Sequence, residues 1–124
     1  MTMEENDILQ DLCGLELSTV IFIRDYMQFV FDPPNSSTYP SLTIYNDPYV
    51  ILDGSTYERR NNEFCNRILT FIGMQVMNTK VVKNEYIRIE FTNNGSINIS
   101  LKPEDYRGPE VASLTIDEHR WNIW

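Results

Sequence analysis

His119, Cys13, Cys65 and a surplus of carboxylates are the groups in this chain whose chemistry could serve a reaction. His119 is the single histidine and stands beside Glu118; the two cysteines lie far apart in the sequence. A protein-bound zinc ion takes about four His, Cys or carboxylate ligands, two of them usually at short spacing, and no such cluster is written here. A Ser/His/Asp or Cys/His set would have to be built on His119. No Gly-x-Ser-x-Gly elbow is present, and the 5 glycines form neither a phosphate-cradling loop nor a dinucleotide fingerprint. Carboxylates are the remaining candidates, because 18 Asp and Glu allow some pair to meet in space. Asp47 and Asp53 can face one cleft, although Asp47 precedes Pro48 and Asp53 precedes Gly54, which is ordinary turn chemistry. The expectation is a protein without catalysis, bound metal or cofactor.

Charge points toward binding. The 18 acids stand against 10 bases, for a net charge of -8. Nucleic-acid binding needs clustered Lys and Arg to displace counterions from phosphates, so direct contact with nucleic acid is not expected. An acidic surface instead raises the encounter rate with a basic protein; the bland alternative is that it keeps the chain in solution. Before the first base, Arg24, come Glu4, Glu5, Asp7, Asp11 and Glu16. An acidic N-terminus is unlike the basic start of a secretory signal. No apolar run approaches the roughly 20 residues that span a bilayer. With two unpaired thiols, these features predict a cytoplasmic setting and no membrane partner.

The most distinctive stretch is Lys102-Pro103-Glu104-Asp105-Tyr106-Arg107-Gly108-Pro109-Glu110. It reads as a stiff exposed loop that offers an aromatic anchor, Tyr106, among charges. It reads equally as a folded corner in which Arg107 pairs with Glu104 or Glu110 and Tyr106 covers a sheet edge. Glu104, Asp105, Tyr106 and Glu110, with Tyr49 and Asp47, are the candidate partner-binding residues.

These groups must be held by a small framework. With 124 residues the chain suits one domain, 1–124, and a chain of this length buries roughly two-thirds of its unfolded surface. Leu17 to Arg24 and Tyr26 to Phe31 read as strands, with Val20 and Phe22 on one side and Met27, Phe29 and Phe31 on one face. Asp32 to Pro40 is an irregular hairpin connection. Leu42, Ile44, Val50 and Leu52 continue the pattern, with a turn at Asn46-Asp47-Pro48. A helix is predicted over 55–72: Ser55 and Glu58 form a capping box, Tyr57, Phe64, Cys65, Ile68, Phe71 and Ile72 make an apolar stripe, and Gly73 ends it. Arg59, Arg60 and Arg67 then fall on its solvated face, where Glu63 can pair with Arg60 or Arg67; the arginines gripping an acidic ligand is the competing reading.

Met74 to Val82, Glu85 to Thr92 and Ser96 to Leu101 read as three more strands. Burial of one face selects a three-residue loop, Asn93-Asn94-Gly95, that pairs Phe91 with Ile97 and Ile89 with Ile99 and puts Gly95 in the left-handed position. A short strand-like run, Val111 to Ile116, follows, and Trp121 and Trp124 are expected to pack back on the sheet. The expected fold is α+β, an antiparallel sheet of six to eight strands with one main helix packed on it.

Ile99-Ser100-Leu101-Lys102-Pro103-Glu104-Asp105-Tyr106-Arg107-Gly108-Pro109-Glu110 resembles a signature of short, mostly uncharacterised bacterial proteins. Phe22 to Phe29 and Asn46 to Val50 are similar to the same group, and Val111 stands where the group's pattern has a small residue. The group looks like one of immunity proteins of bacterial toxin systems, including contact-dependent growth inhibition. The resemblance implies a partner, a cognate toxin domain, and assigns no active residue. Three functions stay open: an immunity protein, a small enzyme using a carboxylate pair, and a structural or small-ligand module.

Overall fold

The structure is a computed structural model that describes residues 8–33 and 38–124. Glu4, Glu5, Asp7 and part of the predicted Asp32–Pro40 connection lie outside those residues. After a helical turn, Gln10–Leu12, the chain forms β1 (Glu16–Ile23), β2 (Tyr26–Asp32), β3 (Ser41–Ile44), β4 (Tyr49–Leu52) and β5 (Ser55–Glu58). A short helix, α1 (Phe64–Leu69), precedes β6 (Val76–Val82), β7 (Tyr86–Phe91) and β8 (Ser96–Ser100), and β9 (Ala112–Thr115) and β10 (Trp121–Ile123) end the chain.

The single sheet expected from the sequence is two five-stranded sheets, β1-β2-β3-β9-β10 and β5-β4-β8-β7-β6, with every pairing antiparallel. Their buried faces supply one hydrophobic cluster: Met27, Phe29, Phe31, Leu42, Ile44 and Leu114 from the first, Val50, Ile87, Ile89, Phe91, Ile97 and Ile99 from the second. Alternation along each strand requires this, since period-two side chains send every second residue into the core. At one side the sheets are stitched together. A lone bridge joins Glu16 to Gln75, and the Leu17 N–H donates to Met74 O at 3.0 Å.

The long helix is corrected most. Residues 55–58 are a strand, because Asp53 and Gly54 turn the chain with φ of 53° and 79° and set Leu52 opposite Ser55 and Val50 opposite Tyr57. Two adjacent positive φ values are the geometry of a tight hairpin turn, for which Asp-Gly is well suited. Ser55 is therefore paired in a hairpin and caps no helix. Phe64, Ile68 and Phe71 are buried as expected, while Ile72 is 40% exposed and Cys65 also faces out. Glu63 pairs with Arg67 at 3.2 Å and Arg60 with Glu58.

The β7–β8 register places Ile89 opposite Ile97 and Ile87 opposite Ile99, two residues from the expected pairing and on the same face. Asn94, at φ 62°, takes the left-handed position. Gly95 serves close packing: a Cβ there would lie 2.6 Å from Phe71 Cζ and 2.9 Å from Leu52 Cδ1. Trp124 packs against the core, but Trp121 is 61% exposed on the edge strand β10.

Candidate functional site

The chain crosses from the first sheet to the second once after β3, through Tyr45–Pro48, and returns once after β8, through 101–111. The two crossings run side by side, tied by three contacts. Tyr45 N–H donates to Val111 O at 2.7 Å, Asn46 Nδ2 donates to Ser100 O at 3.1 Å, and Arg107 pairs with Asp47 at 2.5 Å. Between them and the residues that follow β5 lies a groove of about 630 Å³, lined by Asp47, Tyr49, Glu58, Arg59, Arg60, Glu104, Asp105, Tyr106 and Arg107 among others. A smaller hollow of about 170 Å³ adjoins it, sharing Asn46, Asp47, Arg59 and Arg107 and adding the β1–β2 turn, Arg24 and Asp25.

Local rules shape the returning crossing. Pro103 sits at the start of a 3-10 turn, Pro103–Asp105, where its missing N–H costs nothing. Asp105 Oδ2 accepts from Ser100 Oγ at 2.5 Å, and Ser100 Oγ accepts from the Lys102 N–H at 3.2 Å. Asp105 is thus fastened to the end of β8. Glu104 makes no hydrogen bond or ion pair among the described residues, and its carboxylate is free for a ligand. Tyr106 is 36% exposed and Tyr49 is half-buried on the same groove.

Five of the six residues singled out in the sequence meet here. Glu110 does not line the groove; it is exposed beyond Gly108. Arg107 pairs with neither Glu104 nor Glu110 but reaches across to Asp47, and Tyr106 lines the groove. Asp53 occupies the β4–β5 turn and does not share the groove with Asp47. His119 contacts Glu118 at 3.3 Å with both side chains more than four-fifths exposed. Among the described residues no group of three His, Cys, Asp or Glu is placed to hold a metal ion, and no helix is long and apolar enough to cross a membrane.

Arg59 and Arg60 are not among the partner-binding candidates of the sequence, which offers their gripping a ligand only as a competing reading. Expected on a solvated helix face, Arg59 and Arg60 instead follow β5 and line the groove. The signal was present in Asp53-Gly54, which lies between two runs of strand-forming residues. Arg59 is held with its guanidinium carbon 5.5 Å from the Phe22 ring centroid and 5.4 Å from that of Phe64. Lined by Arg59, Arg60 and Arg107 and by the carboxylates of Asp47, Glu58, Glu104 and Asp105, the groove is mixed in charge and not simply acidic, and the adjoining hollow adds Arg24 and Asp25.

The chain was compared with protein-family models, curated proteins and solved structures, and it matches none of them.

Proposed function

We propose that this chain is an immunity protein that binds and neutralises a cognate toxin domain, a basic nuclease, by occluding it, and that it works in the cytoplasm without catalysis or cofactor. The observation that carries this reading is the meeting of Asp47, Tyr49, Glu104, Asp105 and Tyr106 on one open groove, carboxylates beside aromatic anchors. Glu104 and Asp105 meet Lys and Arg that otherwise hold substrate phosphates. Tyr49 and Tyr106 supply the desolvated contacts, since charges at a rim steer association while buried aromatics hold a complex. The net charge of -8 draws the basic partner in from a distance. Exposed charges are screened over about 8 Å at physiological ionic strength, so association slows as salt rises and dissociation responds less.

The test is protection. Cells expressing this chain are challenged with the toxin encoded beside its gene, and the purified pair is assayed for binding. Protection and a stable complex are expected, with Glu104→Lys lowering the on-rate at unchanged melting temperature. No protection and no complex at micromolar concentrations would end the immunity reading.

A further inference from the structure

Among the described residues, Arg59 is the groove cation that is both held over aromatic rings and without an ion pair. Its guanidinium sits over two aromatic rings, Phe22 and Phe64, which restrict its motion before any ligand arrives. Among the described residues it donates no hydrogen bond and meets no carboxylate, whereas Arg107 is taken by Asp47 and Arg60 by Glu58. Arg59 lines both the groove and the smaller hollow. The smaller hollow, with Arg24, Arg59 and Arg107 against Asp25 and Asp47, carries one net positive charge in a protein of net charge -8.

We infer that the Arg59 end of the groove is a carboxylate-binding subsite, so that the protein surface recognised here presents an acidic side chain beside its lysines and arginines. A guanidinium offers parallel N–H donors that match the two oxygens of a carboxylate. A phosphate dianion fits less well, because Asp25, Asp47 and Glu104 line the same groove and hollow and oppose a second negative charge there. The partner therefore meets two opposite demands across one groove: cations opposite Glu104 and Asp105, and a carboxylate opposite Arg59. A uniformly basic surface satisfies the first and leaves Arg59 facing like charge, so this arrangement discriminates among basic partners. The inference rests on the groove being the contact surface of the proposed complex.

The test uses the full chain, labelled with nitrogen-15, and sodium acetate as the probe at constant ionic strength set with chloride. A saturable shift of the Arg59 Nε–H signal is expected at millimolar acetate. Arg59→Gln should weaken acetate binding about tenfold, the loss expected when a charge-assisted hydrogen bond is removed. Arg67→Gln, outside the groove and paired with Glu63, should leave it unchanged. If Arg59→Gln lowers the melting temperature, Arg59→Lys, which keeps the charge and loses the fork, should still weaken acetate. Shifts that only track ionic strength, or acetate binding retained in Arg59→Gln, overturn the inference. Inorganic phosphate binding more tightly than acetate overturns the choice of carboxylate. This readout needs no toxin and so fails or succeeds separately from the protection assay.

Discussion

Gly95→Ala sets two effects of opposite sign against each other. Gly95 is buried and its φ is outside the left-handed region, so alanine is allowed by the backbone. Restricting the unfolded chain would then stabilise the protein by about 0.4–1 kcal/mol. Against this, the new methyl would stand 2.6 Å from Phe71 Cζ, 2.9 Å from Leu52 Cδ1 and 3.0 Å from Asn93 Oδ1. Ordinary contact between carbons is about 3.5–4.0 Å, so the Phe71 ring must retreat by close to 1 Å. It has no free direction: Phe71 is fully buried and meets Phe91 edge-on, with centroids 5.1 Å apart at 89°. Overpacking of this kind costs about 1–3 kcal/mol, which exceeds the entropic gain. A net loss of roughly 1–2 kcal/mol is expected, and at roughly 4 °C per kcal/mol for a domain of this size the melting temperature should fall by about 4–8 °C. Thermal unfolding followed by circular dichroism, with urea denaturation as a second measure, reads it. An unchanged or raised melting temperature would mean that Phe71 yields without cost, and would refute the view of Gly95 as a packing glycine.

Ile68→Asp places an unpaired charge at a fully buried position of α1 and should cost several kcal/mol; a soluble variant with the parental melting temperature would contradict the packing of α1. Asp47→Ala breaks the exposed pair with Arg107, whose side chains are each about half exposed, and should change stability by no more than about 1 kcal/mol; a larger loss in urea denaturation would make the pair a structural clamp. The Asp117 carboxyl is held below its usual 3.8, first by the backbone N–H of His119, which outweighs the opposing desolvation, and then by the Arg120 side chain and N–H. A depressed carboxylate pKa stabilises the folded state above the unfolded value and loses that contribution as pH falls through the folded one. Stability should therefore drop below pH 3.8 less steeply in Asp117→Asn than in the parent; superimposable acid-unfolding curves would argue against it.

What the sequence determined by itself was local. Alternation placed Met27, Phe29, Phe31, Ile87, Ile89 and Ile99 on buried faces, because a strand must send every second side chain the same way whatever lies opposite. The charge of the 102–110 segment and its two prolines left an exposed loop and a folded corner both open; residues 102–110 are all exposed, and Arg107 is paired with Asp47. Tertiary structure decided the rest. Alternation tells which face is buried but not which sheet a strand joins, so one sheet and two sheets read alike until the crossings at Tyr45–Pro48 and 101–111 are seen. An apolar stripe at helical spacing also fits a hairpin followed by a short helix, and the Asp53–Gly54 turn, with both φ values positive, selects the hairpin. That choice turned Arg59 from a solvated helix residue into a guanidinium held over Phe22 and Phe64. Phe22 lies far from Arg59 in sequence, so spacing along the chain carries no record of their contact; it exists because two sheet edges and a helix converge there.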